Sequence, residues 1–180
     1  MWKKSSPFLL KSNHSIKKKL NYCQRECVLN HQTFTLRLMR YRDIKELLQI
    51  ERELYEGKTP WGRSAFLFEL KGPYPSLYLV VEYQGKVVAF GGCRFNQTNG
   101  HITNLAVQTD HQGIGIGSLL LTEIRNFAFI CQCQSLSLET PKSNMDAQRL
   151  YRKFGFVARN IKQNYYDHDD AVLMVCLLRG

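Results

Sequence analysis

At 180 residues the chain is long enough for one domain with a real core and too short for two. Hydrophobic residues at 44%, with ten Phe and nine Tyr, exclude general disorder, and no apolar run reaches the length of a membrane span. The net charge of +10 is concentrated at the start, where residues 1–30 carry seven Lys or Arg against Glu26 alone.

Residues 1–32 are rich in Ser, Asn and Lys, include Lys17-Lys18-Lys19, and lack a sustained period. They read as a basic extension, disordered or with a short helix, outside a domain spanning 33–180. Such a tail suits RNA, the ribosome, an anionic surface or an acidic protein. Removing residues 1–30 is expected to leave the domain folded. Cys23, Cys27 and His31 stand at four-residue steps, which would align them on one face of a helix, but a fourth ligand at standard spacing is missing and no metal is assigned. The six cysteines have no disulfide spacing, and the Phe8-Leu9-Leu10 run is too short for a signal segment, so the expected compartment is the cytoplasm.

From Thr33 the apolar alternation of Phe34, Leu36 and Leu38 predicts a strand. Asp43 and Glu46 have the spacing of a capping box before the apolar stripe Ile44, Leu47, Leu48 and Leu54. A second helix is expected from Ser64 to Leu70, then strands Leu77 to Tyr83 and Lys86 to Phe95 around a Gln84-Gly85 hairpin. Asn99-Gly100 reads as another hairpin turn, leading into a strand from His101 to Val107. His101 itself reads as a solvated or packed histidine.

Gln112-Gly113-Ile114-Gly115-Ile116-Gly117 then opens a helix from Ser118 to about Cys131. Glycines at alternate positions let the backbone approach a ligand closely, and the following helix N-terminus favours an anion such as pyrophosphate. A Walker lysine and a correctly spaced dinucleotide acid are both missing, which weakens those nucleotide readings. Ser135 to Thr140 reads as a buried strand stopped by Pro141. Ser143 or Asn144 caps a helix from Met145 to Phe154, and strands Val157 to Tyr166 and Ala171 to Leu178 flank an Asp167-His168-Asp169-Asp170 turn. The expected order is β-α-α-β-β-β-α-β-α-β-β, a mixed α/β sheet with helices on both faces.

Asn104-Leu105-Ala106-Val107, Gln112-x-x-Gly115-x-Gly117, Leu138-Glu139, Asn144 and Ala147 to Phe156 resemble, in succession, the motifs of the GNAT superfamily of N-acetyltransferases. Pro60-Trp61 and Asn164-Tyr165-Tyr166 further resemble the bacterial ribosomal-protein-alanine N-acetyltransferases. The resemblance spans Thr33 to Leu178. It implies a mostly antiparallel, twisted sheet of about seven strands and acetyl-coenzyme A as co-substrate, with no metal. It also implies a bulged strand whose main chain at Leu105, Ala106 and Val107 holds the pantetheine arm and polarises the acetyl carbonyl. Gln112, Gly113, Ile114, Gly115, Ile116, Gly117 and Ser118 would form the pyrophosphate turn, and Asn144 would contact the pantetheine arm. Glu139 would be the general base and Tyr151 the acid that protonates the leaving thiolate, with direct attack in a ternary complex. Trp61, Tyr165 and Tyr166 would line a groove for a protein or peptide N-terminus, with a ribosomal protein as the implied acceptor. The resemblance leaves two other functions open: acetylation of a small amine, and a non-catalytic acyl-coenzyme A sensor with an RNA-binding tail. Thr109, Gln112 and Thr140-Pro141 depart from the branch's pattern, which has proline and arginine more often at the first two.

Overall fold

The computed structural model describes residues 22–72, 75–96, 98–166 and 169–178. Residues 1–21, with the lysine run, lie outside the described residues, as do Asp167 and His168 of the expected acidic turn. The strands are β1 (Arg25–Leu29), β2 (Gln32–Leu38), β3 (Ser76–Tyr83), β4 (Lys86–Asn96), β5 (Asn99–Val107), β6 (Ser135–Pro141), β7 (Val157–Tyr166) and β8 (Asp169–Leu177). The α-helices are α1 (Ile44–Leu54), α2 (Arg63–Lys71), α3 (Ile116–Ile130) and α4 (Met145–Lys153). One eight-stranded sheet runs β1-β2-β3-β4-β5-β6-β8-β7. Its neighbours are antiparallel throughout except β5 and β6. The mixed α/β fold expected from the sequence is observed, with eight strands in place of about seven.

The extra strand is β1. Its residues lie in the expected extension, yet Arg25 to Leu29 pair with Gln32 to Leu36 in the sheet. Leu29 pairs with Gln32 across a two-residue turn in which Asn30 and His31 both have positive φ, 46° and 62°, the turn that matches strand twist. This geometry removes the helical face on which Cys23, Cys27 and His31 would have met. Tyr22 donates its hydroxyl to Glu123 Oε2 at 3.0 Å, and Arg25 pairs with the same carboxylate, which is 7% exposed on α3. The boundary escaped periodicity because β1 is an edge strand with little buried surface.

Strand β3 is buried along Ser76 to Val81 and divides two cores. Leu77, Leu79 and Val81 pack with Phe34, Leu36, Leu120, Ile124 and Phe127 on the α3 face. Tyr78 and Val80 pack with Ile44, Leu47, Ile50 and Phe66 on the α1 and α2 face. Alternation of side chains across the pleat produces both faces from one run of residues.

Two turn readings need correction. Asp43 does not cap α1 with its side chain; its carboxylate takes both Nη atoms of Arg37, at 2.7 and 3.0 Å, and the Arg40 N–H at 2.7 Å. Glu46 reaches instead to the Val87 N–H at 2.6 Å, tying α1 to β4. Asn99-Gly100 lies inside β5, since Asn96 pairs with Asn99 and Phe95 with Gly100. Glycine stands at position 100 for close packing, because a Cβ there would collide with Leu136.

Candidate active site

Strands β5 and β6 run parallel only from Asn99/Ser135 to Ile102/Leu138 and pair no further, which opens a gap in the sheet. A register shift opposite Gly92 and Cys93 leaves Thr103 as an extra residue just where the strands part. Beyond it, the Gln108 N–H bonds Val88 O at 2.9 Å, so by alternation Ala106 also turns its main chain toward β4. The main-chain groups of Leu105 and Val107 therefore point into the gap. Ala106, expected to share the cofactor contact, has its main chain committed to β4 and its methyl buried in the α1 and α2 core. Gln112 donates its side-chain amide to Val107 O at 2.9 Å, tying the glycine turn to the strand.

The turn itself is left-handed at Gly113, φ 75°, and at Gly115, φ 104°, which caps α3. A Cβ at Gly113 would meet nothing within 4 Å, so the left-handed backbone, not packing, requires glycine there. Gly117 answers a different demand: its Cβ would press on Leu150 of α4 at 3.1 Å. The first helical bond runs from Leu119 N to Gly115 O, leaving the N–H groups of Ile116, Gly117 and Ser118 without intrahelical acceptors. The Ile116 side chain is core, so that residue offers only its main chain. Free N–H groups with the positive end of a 15-residue helix suit a pyrophosphate.

Asn144 caps α4, its Oδ1 accepting the Ala147 N–H at 3.0 Å, which leaves the side-chain amide as a donor. Tyr151 is 7% exposed on α4, in tilted contact with Phe156. No protein group among the described residues hydrogen-bonds its hydroxyl, which nonetheless keeps some contact with solvent. Burial, reinforced by the nearby Tyr55 and Tyr166, raises its pKa well above the ordinary phenol value. It therefore stays protonated across neutral pH.

Glu139 lies on β6 just past the point where β5 separates, on the face opposite buried Leu138 and Thr140. Its Oε1 accepts Lys162 Nζ at 2.7 Å, and its Oε2 lies 3.1 Å from His101 Nε2. The other His101 nitrogen, Nδ1, is 2.9 Å from Ser137 Oγ. Burial lowers the His101 pKa, opposed by the Glu139 charge. Sequence reasoning missed both partners, since His101 and Lys162 reach Glu139 from different strands and neither spacing nor motif signals the contact.

On β7, Asn164 has φ 51° and interrupts the pairing between Lys162 and Tyr166. Tyr165 and Tyr166 meet edge to face at 5.1 Å. Trp61 packs against Phe66 and Tyr78, lies under the Arg94 guanidinium, and donates its main-chain N–H to buried Glu51 at 3.1 Å. Trp61 thus sits with α1 and α2 on the helix-covered part of the sheet.

The model of the acetyltransferase (GNAT) family matches residues 42–156. An uncharacterised N-acetyltransferase of Methanocaldococcus jannaschii is 37% identical over 136 residues, covering 74% of this chain and 85% of its own. A Bacillus subtilis protein provisionally named [ribosomal protein bS18]-alanine N-acetyltransferase is 33% identical over 142 residues, covering 77% of this chain and 92% of its own. Among solved structures, the ribosomal-protein-S18-alanine N-acetyltransferase of Escherichia coli superposes with a TM-score of 0.73 at 26% identity, covering 82% of this chain and 96% of its own. The gap, the left-handed turn and these likenesses agree: the chain is an acetyltransferase and belongs to the GNAT family.

Proposed function

We propose that the protein acetylates the N-terminal α-amine of a protein, with a ribosomal protein as the acceptor class and acetyl-coenzyme A as the donor, in the cytoplasm. The observation that carries this reading is Glu139, a partly buried carboxylate at the mouth of a sheet gap whose far end leads to the glycine turn. Relatives named for ribosomal-protein-alanine acetylation support the acceptor class. All six cysteines are free thiols, which suits a reducing compartment.

The chain fits coenzyme A. The N–H groups from Gly113 to Ser118 would hold its pyrophosphate, the Leu105 and Val107 main chain and the Asn144 amide its pantetheine arm. When bound, acetyl-coenzyme A supplies the activated thioester. An α-ammonium group, with pKa about 8, must lose a proton before attack. Glu139 takes that proton, directly or through water. Gap-facing N–H groups of Leu105 and Val107 orient the acetyl carbonyl and stabilise negative charge on its oxygen. Tyr151, kept neutral by burial, gives its proton to the departing sulfur. Replacing Glu139 by Gln tests the base directly: turnover on a peptide falls by about a hundredfold or more with acetyl-coenzyme A binding retained. Undiminished turnover would remove Glu139 from the reaction.

A further inference from the structure

Both oxygens of Glu139 are already occupied, yet a base must offer one to its substrate. His101 is a short side chain on β5, anchored at Nδ1 by Ser137 and at Nε2 by Glu139. Lys162 differs: it projects from the sheet's edge strand on a flexible four-carbon stem, and Glu139 and the Tyr165 ring are the groups that hold its ammonium. Its hydrogen bond to Glu139 keeps it charged.

The surroundings of that ammonium are specific. In a regular strand, residues three apart point to opposite faces. The left-handed Asn164 and the lost pairing between Lys162 and Tyr166 bring the Tyr165 ring to the side of Lys162, 5.0 Å from Nζ. An ammonium thus sits between a carboxylate oxygen and an aromatic face, two groups that recognise any primary ammonium by charge and by ring quadrupole.

We propose that the Lys162 ammonium holds the place of the acceptor's own ammonium group, and that an acceptor amine binds by displacing it from Glu139 Oε1 and the Tyr165 face. This inference deepens the reading of Glu139 as the base and rests on it. The acceptor N-terminus has the same charge and the same three N–H donors, so it enters as a cation and exchanges for Lys162 one for one. The lysine end of the pair is solvent-accessible on a mobile stem while the carboxylate is partly buried, so the ammonium can leave to water and an incoming cation takes its place at the carboxylate. Lys162 is then a specificity-determining residue: it excludes uncharged nucleophiles, which cannot replace an ammonium at the carboxylate.

The test compares the full chain with Lys162→Met and Lys162→Arg variants. KM and kcat are measured on a peptide with a free N-terminus, and the peptide Kd is measured by calorimetry with coenzyme A bound. Lys162→Met removes the competing cation, so KM and Kd both fall, by about three- to fivefold. Lys162→Arg keeps a cation opposite Glu139 and stays near the wild-type values. An unchanged or raised Kd in Lys162→Met, or an equal fall in both variants, overturns the proposal. Glu139→Gln, measured in parallel, separates the two levels: full kcat there defeats the base assignment, whereas the Kd of Lys162→Met answers only the displacement.

Discussion

The Glu51 carboxylate, in the middle of α1 and 2% exposed, accepts the main-chain N–H of Trp61 at 3.1 Å and pairs with no cation among the described residues. Burial pushes its pKa up to about 7 from the ordinary 4.5, against the lowering effect of the Trp61 hydrogen bond. The folded protein therefore holds more protons at this site than the unfolded chain between those two values. Stability from this group is complete below the lower value and is lost as pH rises toward about 7. Glu51→Gln keeps an acceptor for Trp61 and removes the charge. Its melting temperature should exceed that of the wild type at mildly alkaline pH, with the difference closing on acidification in a calorimetric pH series.

Arg37, 4% exposed, forks onto Asp43 and also donates from Nη2 to Glu82 at 2.9 Å. These bonds, Asp43 first, hold its pKa above the usual guanidinium value despite burial. Asp43→Ala leaves a buried guanidinium with Glu82 as its one carboxylate partner and the Arg40 N–H without its acceptor. We expect a loss of about 3 kcal/mol or more in urea unfolding. A near-neutral change would show that water replaces the carboxylate.

The N-terminal strand sets a boundary that truncation can locate. A chain beginning at Tyr22 keeps β1 and both of its contacts to Glu123. One beginning at Gln32 loses the β1 ladder and leaves Glu123, 7% exposed, without Tyr22 or Arg25. The second should melt several degrees below the first, by about 4–8 °C for each kcal/mol lost in a small domain and by less at this size. Equal melting temperatures would mean that β1 contributes nothing to the fold.

Tyr151→Phe deletes a hydroxyl that no protein group among the described residues engages, so it leaves packing against Phe156 intact. Turnover should fall by about a hundredfold with little change in acetyl-coenzyme A affinity. Stopped-flow transfer with the affinity measured separately checks both halves.

Much of this was legible in the sequence because local rules and tertiary demand coincide. Gly113 and Gly115 stand where φ is positive, Asn144 caps its helix, and Gln84-Gly85 makes the hairpin its type requires. Where one residue type serves two purposes, the local rule misleads. Asp43 resembles a cap but answers a buried arginine, and Gly100 resembles a turn but makes room for Leu136. That Glu139 pairs with a cation was open to a reading of its strand-end position, but the residues that surround it were not readable. They depend on β5, β6 and β7 meeting across the sheet and on a backbone kink at Asn164, and no pattern along the chain encodes either.

Acetyl transfer to a protein N-terminal amine at the gap beside Glu139 can be read from the position of a transferred label. The protein is incubated with labelled acetyl-coenzyme A and a peptide bearing the N-terminal sequence of an alanine-starting ribosomal protein. The same peptide with a blocked N-terminus and a panel of polyamines are run alongside, and the site of label is read by mass spectrometry. Label is expected on the α-amine of the free peptide and none on the blocked peptide or the polyamines. Label confined to the small amines, or none on any acceptor, would contradict that expectation.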